Sequence, residues 1–279
     1  MQKSLKQQLH KIYEQKLLDS IIKDYINNMS LTDLLNKYNT SKSTLERNLL
    51  LNNIPLRSKY KHSKISKRAI IQNNIFENLN NPDTQYWLGF LSADGSIFEN
   101  RISLFLALKD KDVIEKFNTY LGNKLKIHHK LHHKKFQQVG VSFRNTEIVN
   151  FLKNIGITTN KSFTIDYKEN ITWNYLRGLI DGDGCISITD KRRRIELVSA
   201  SELLINKVGK FLKNNSIDFK IYKINNKNIL YSLQIHKQSS VLNLIENLYN
   251  NAHTYMNRKY ENAVKIRNYL YNKRLNSGN

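Results

Sequence analysis

The stretch YLRGLIDGDGCIS at residues 175–187 decides the fold, because a looser copy of it, YWLGFLSADGSIF, stands at residues 86–98. In each copy about ten residues read as a helix that ends at Asp-Gly. Asp94 and Asp183 hold the same place in the two copies, 89 residues apart (183 − 94). Asn81 with Pro82 can open the first helix and Thr172 the second. Phe90, Leu91, Leu176, Leu179 and Ile180 are the apolar residues that a buried helix needs. Gly89 and Gly178 are costly in mid-helix, by about 1 kcal/mol relative to Ala, unless another backbone approaches closely. A carboxylate at a helix C-terminus lies at the unfavourable end of the dipole. An Asp-Gly that merely stops a helix explains one copy. It does not explain two copies with matching flanks, and such repeated violations mark a site.

Working outward, both copies continue in the same order. After the first, Ile97 and Phe98 lead into a hairpin that turns at Glu99-Asn100 and returns over residues 101–108. A helix is predicted over 110–121, a second hairpin over 123–145 and a helix over 146–156. After the second copy, Ile186 and Ile188 lead out and 194–199 return. A helix follows at 201–213, a hairpin at 217–235 turning near 225–228, and a helix at 239–249. Arg101 and Arg194 are offset by 93 (194 − 101), because the loop after Ile188 is longer. The expected architecture is α+β, a duplicated αββαββα unit, with one repeat at 81–170 and the other at 171–279.

Residues 176–184, LRGLIDGDG, resemble the signature of the LAGLIDADG homing endonucleases at seven of nine places; WLGFLSADG at 87–95 matches less well. Ser92 replaces the first Asp of that motif and Trp87 its first Leu, but the second Asp is present in both copies. The resemblance covers about the last two-thirds of the chain. It implies two units forming a pseudo-twofold saddle on DNA, with Asp94 and Asp183 as catalytic, metal-binding acids, helped by the carbonyls of Ala93 and Gly182. It also implies a nearby basic residue that stabilises the transition state. From their positions at or just after the second hairpin strands, Lys237 and Arg144 are the candidates.

Composition agrees. The 279 residues carry 45 Lys and Arg against 23 Asp and Glu, a formal charge of +22, which favours a polyanionic partner. An AT-rich coding bias raises Lys but does not account for so few acids. One cysteine, Cys185, excludes an intrachain disulfide and is expected to be a small buried strand residue. The longest apolar run is far too short to cross a membrane, and the N-terminus lacks a signal-peptide core. A soluble cytoplasmic protein is expected.

Residues 1–60 read as a small all-α domain. Leu17, Leu18, Ile21, Ile22, Tyr25 and Ile26 recur at helical spacing, Ser30 with Asp33 signals a cap, and Ser41 or Ser43 opens a third helix. This pattern resembles a helix-turn-helix whose third helix offers Lys42, Ser43, Thr44 and Arg47 to DNA; a plain helical bundle is the alternative. Arg57, at the end of this unit, is a further expected DNA contact, and residues 61–80 begin as a basic linker.

Other DNA contacts are expected from Arg101, Lys126, His128, Lys130, His132, Lys134, Arg192, Arg193, Arg194, Lys220, Lys223 and Lys227 in the hairpins. The four histidines at 128, 129, 132 and 133 do not form a zinc site. On a strand, i to i+4 spans about 13 Å, and no Cys, Asp or Glu lies among residues 123–138.

Paired acids suit phosphodiester hydrolysis through Mg²⁺, with Mn²⁺ as a substitute. The expected protein is a site-specific double-strand DNA endonuclease of the homing type, a monomer reading a long asymmetric target. The alternatives are a DNA-binding transcription regulator on an inactive scaffold and an intron RNA maturase.

Overall fold

A computed structural model describes residues 15–27, 29–52, 54, 56, 71–132, 136–158, 165–189, 193–225 and 229–277. The chain divides into two units, Met1–Ile70 and Ile71–Asn279, with separate apolar cores.

In the first unit, α1 (Gln15–Ile26), α2 (Leu31–Lys37) and α3 (Lys42–Leu51) bury Leu18, Ile21, Tyr25, Leu34, Leu45 and Leu49 against one another. Ser30 caps α2 by accepting from the Asp33 amide, and Ser41 caps α3 by accepting from the Thr44 amide. Asn39, with φ of 42°, supplies the left-handed turn between them.

The second unit is the expected duplication. Its first half runs α4 (Pro82–Ala93), β1 (Ser96–Phe98), β2 (Arg101–Ala107), α5 (Lys111–Tyr120), β3 (His128–His132), β4 (Phe136–Arg144) and α6 (Thr146–Asn154). The second half runs α7 (Trp173–Asp183), β5 (Gly184–Ile188), β6 (Arg193–Ser199), α8 (Glu202–Asn214), β7 (Lys220–Asn225), β8 (Ile229–Ile235) and α9 (Gln238–Tyr249). Each half holds one antiparallel sheet, ordered β1-β2-β4-β3 or β5-β6-β8-β7. Alternation sends Ile102, Leu104, Val139 and Val141, and likewise Ile186, Ile195, Leu197 and Leu233, into the core. Among the described residues of this unit, none covers the opposite face of either sheet.

The helices α4 and α7 pack side by side at the centre. Their two glycines are obligatory. A Cβ on Gly89 would stand 2.0 Å from the Tyr175 carbonyl oxygen, and one on Gly178 2.0 Å from that of Tyr86. Tyr86 and Tyr175 are themselves 89 residues apart, so the contact is the same from either side. Trp87 fills the space beneath, its ring centroid 4.8 Å from Phe117 and 4.9 Å from Tyr86.

One element was not expected. A 21-residue helix, α10 (Asn257–Ser277), closes the chain. Its buried stripe of Lys259, Ala263, Ile266 and Leu270 is sparse and begins with a lysine, so periodicity alone does not reveal it.

Candidate functional site

Asp94 is the C-cap of α4 and Asp183 the last residue of α7. Both are exposed, although the helices that carry them are buried almost throughout. The two ends meet. A Cβ on Gly182 would lie 2.2 Å from the Ala93 Cβ and 3.5 Å from Asp94 Oδ2. The close approach that the mid-helix glycines permit thus continues to the helix ends, and brings two carboxylates from distant sequence to one seam.

Beneath the seam lies a buried polar layer. Asp181 is wholly buried, and accepts from the Tyr86 hydroxyl at 3.0 Å, the Tyr249 hydroxyl at 3.0 Å and the Met256 amide at 2.8 Å. Burial raises its carboxyl above the usual range, while those donors pull the other way. In the other helix the matching residue is Ser92, which donates to the Leu88 carbonyl at 2.8 Å and accepts from Tyr175 at 2.9 Å. The departure of Ser92 from the motif therefore falls in the supporting layer and leaves Asp94 in place.

Lys259, from α10, is 3% exposed. Its Nζ donates to the carbonyls of Ile180 at 2.8 Å, Asp181 at 2.6 Å and Gly182 at 3.0 Å, at the end of α7 where carbonyls run short of helical amides; the Ile180 carbonyl also accepts the Gly184 amide. Burial lowers its ammonium to about 8, and Arg258 adds to this; Asp181, Asp94 and Asp183 oppose the shift. The charge of Lys259 therefore feels both seam acids. Arg258 in turn binds Asp110 at 2.6 Å, fastening the start of α10 to the first half.

Neither basic residue expected beside the acids is there. Arg144 pairs with Arg101, which pairs with Phe98. Phe98 is four residues beyond Asp94, or about 13 Å along the strand, so Arg144 stands at the outer end of its sheet. Lys237 follows Ile235, which faces Ile195, and its ammonium is bound to Asp218 at 2.7 Å. Hairpin position suggested these two residues, but strand direction carries them away from the seam. Lys259 was missed because its helix was not recognised.

The open face of the first sheet carries Arg101, His128 and Lys130. Lys130 Nζ sits 3.6 Å above the Phe105 ring, and Phe105 lies against Gly140. Asp94, Arg101, His128 and Lys130 line one cavity of about 720 Å³. Lys126 is exposed just before β3, and His132 ends that strand.

On the second sheet, Arg194 and Lys220 share the open face, by register with Ser187 and Gln234. Lys223 pairs with Tyr231, whose hydroxyl reaches Glu202 of α8, so Lys223 belongs to the helix side. Arg193 also lies on that side, its guanidinium 3.4 Å from the Tyr269 ring centroid. Cys185, expected to be buried, is exposed because Ile186 takes the inward position.

In α3, Lys42, Ser43 and Arg47 are exposed. Thr44 is not available to a partner, being 9% exposed with its hydroxyl 2.8 Å from Ser41 Oγ. Arg57, Lys134, Arg192 and Lys227 lie outside the described residues. Among the described residues no three His, Cys, Asp or Glu gather as a metal cluster, and no helix is long and apolar enough to cross a membrane.

A family model described as a LAGLIDADG-like domain matches residues 81–159 and again 171–249, more than half of the chain. The "Probable cell division protein WhiA" of Clostridium tetani (strain Massachusetts / E88) is 28% identical over 102 residues, which span 36% of this chain and 32% of that protein's length. Among solved structures, the LAGLIDADG meganuclease I-AabMI bound to uncleaved DNA superposes with a TM-score of 0.51 at 14% identity, over 69% of this chain and 92% of that one. I-SmaMI bound to an uncleaved DNA target with calcium ions gives 0.48 at 12% identity, over 70% and 92%. At such identities the likeness to I-AabMI speaks for the fold alone.

Proposed function

The chain belongs to the LAGLIDADG family, and from that footing we propose that it is a site-specific endonuclease of double-stranded DNA, of the homing type. The observation that carries this reading is the meeting of Asp94 and Asp183 at the ends of two packed helices, above a buried lysine that donates to the carbonyls of Asp181 and Gly182. A binding scaffold needs neither the exposed acids at its most tightly packed seam nor a lysine buried beneath them.

The donor set fits Mg²⁺ or Mn²⁺. Such ions accept one or two protein carboxylates and fill their remaining positions with water and phosphate oxygens. Asp94 and Asp183, with the carbonyls of Ala93 and Gly182, would hold them, and the bound ion supplies an activated water and a counter-charge. The rest is the work of the chain. Each half contributes one acid, so each can serve one strand. Lys259 adds fixed positive charge where two carboxylates, the carbonyl end of α7 and a phosphodiester would crowd together. It takes the role of the basic helper in place of Lys237 and Arg144. The two open faces carry base and phosphate contacts, and the surplus of +22 supports salt-sensitive binding. Because one chain supplies both acids, it works as a monomer on a long asymmetric site, with the N-terminal helices extending the footprint.

A second reading is a DNA-binding regulator on the same scaffold; the likeness over 102 residues to a protein named for cell division, and not for cleavage, supports it. One experiment separates them. The protein is incubated with Mg²⁺ and the DNA that flanks its own gene, joined as if the gene were absent. A double-strand cut at one place supports the nuclease; tight binding without nicking in Mg²⁺ or Mn²⁺ supports the regulator.

A further inference from the structure

The two sheets carry the same cross-strand pair in different chemistry. In the first, Ser103 faces Ser142, their hydroxyls 2.8 Å apart. The matching pair in the second is Glu196 and Gln234. Glu196 is a half-buried acid on a face otherwise suited to DNA, where an unpaired carboxylate would repel phosphate. It is fully engaged instead. Glu196 Oε1 accepts from Ser232 at 2.6 Å and from Gln234 Nε2 at 2.8 Å, while Oε2 holds Arg194 Nη2 at 3.1 Å.

A carboxylate accepts and cannot donate, so the amide nitrogen of Gln234 must face Glu196. Gln234 Oε1 then points at His236 Nε2, 2.9 Å away, which makes that ring nitrogen the donor. One acid thereby sets the direction of three neighbours. Arg194 is held by a single nitrogen, and its remaining N–H groups are free of this contact. Arginine in such a setting pairs with the O6 and N7 acceptors of guanine in a major groove.

We propose that Glu196 is a positioning residue for sequence specificity: by anchoring Arg194 and, through Gln234, His236, it makes the second sheet select guanine at the base pair facing Arg194. The Ser103–Ser142 pair imposes no such choice at the matching position of the other half-site, and the target is asymmetric there. This rests on the DNA-binding part of the proposed function but not on cleavage.

The test is selection from a randomised DNA duplex library by the full-length protein, by binding alone and without divalent metal. The unmodified protein should enrich a guanine at one position in one half-site. Glu196→Gln and Arg194→Ala should each reduce that preference by roughly tenfold or more, with base frequencies in the other half-site unchanged. Total duplex retained from the library reports on folding, since a misfolded variant retains none. The proposal is overturned if Glu196→Gln keeps the guanine preference, if both half-sites relax together, or if Arg194→Ala leaves the position intact. Failure of the unmodified protein to enrich any sequence overturns it together with the DNA-binding reading. A cleavage assay on the enriched duplex then tests the nuclease reading separately.

Discussion

Tyr86 and Tyr175 cross the central helix pair in opposite directions: Tyr86 donates to Asp181 at 3.0 Å, and Tyr175 donates to Ser92 at 2.9 Å. The two tyrosines are equivalent in the duplication, and so are their acceptors. One acceptor is a carboxylate with three donors and the other a hydroxyl, so the supporting layer is symmetric in connection and unequal in charge.

Removing the carboxylate of Asp181 tests that layer. Asp181→Ala leaves two buried tyrosine hydroxyls and the Met256 amide without their acceptor, and should cost roughly 2–4 kcal/mol at about 1–3 kcal/mol for each unsatisfied group, less relaxation. Asp181→Asn keeps an acceptor for Tyr86 and Met256, and lets the Tyr249 hydroxyl turn to accept. It should retain most of the stability. Urea unfolding of the two variants compares them directly.

Gly89→Ala or Gly178→Ala places a Cβ 2.0 Å from a backbone carbonyl oxygen of the partner helix. Backbone cannot swing aside as a side chain can, so either change should destabilise the second unit by more than about 3 kcal/mol, the upper end for ordinary overpacking. A loss below about 1 kcal/mol in denaturant titration would mean that the helices are not packed this closely.

Asp94→Asn and Asp183→Asn should abolish double-strand cleavage while DNA affinity stays within a few-fold of the unmodified protein. Single substitutions that leave one strand cut would show that each acid serves its own strand. Nicked and linear plasmid products, resolved on a gel against time, distinguish these outcomes.

Lys259→Met retains length and removes the charge. Cleavage should fall by about 10²-fold or more, the scale for losing one electrostatic contact to a transition state. Binding at matched salt should change little. If cleavage persists at full rate in a variant shown to be folded, Lys259 only closes the end of α7.

In the N-terminal unit, Asp24 accepts from Lys37 at 2.7 Å and from Tyr38 at 2.5 Å. The hydrogen bond from Lys37, and then that from Tyr38, hold its carboxyl below the usual 3.8. A folded-state value below the unfolded one gives stability that is present above pH 3.8 and lost as pH falls through the folded value. Protection of α1 and α2 amides from hydrogen exchange should therefore weaken on acidification below about pH 4. In Asp24→Asn, that component of the acid dependence should be absent.

Much of this was legible in the sequence because it is local. The caps Asn81, Thr172, Ser30 and Ser41, the alternation of Ile102 and Leu104, and the repeat of Asp94 at Asp183 each depend on neighbours a few residues away, and each appears where periodicity and capping chemistry placed it. Gly89 and Gly178 announced a close helix contact because their cost as helix residues had no local return.

What tertiary structure alone decided is which side chains share a space. Arg193 and Arg194 are adjacent in sequence, yet one stacks on Tyr269 and the other joins Glu196, because a strand turns successive residues to opposite faces. Arg144 and Lys237 are carried away from the acids by strand direction, while Lys259, 76 positions after Asp183 (259 − 183), returns to lie beneath them. Local preference selects helices and strands over a few residues, whereas the seam is set by packing between segments far apart in the chain. The sequence by itself determined the two halves and their acids; only the folded contact between α4, α7 and α10 decided which cation lies beneath them.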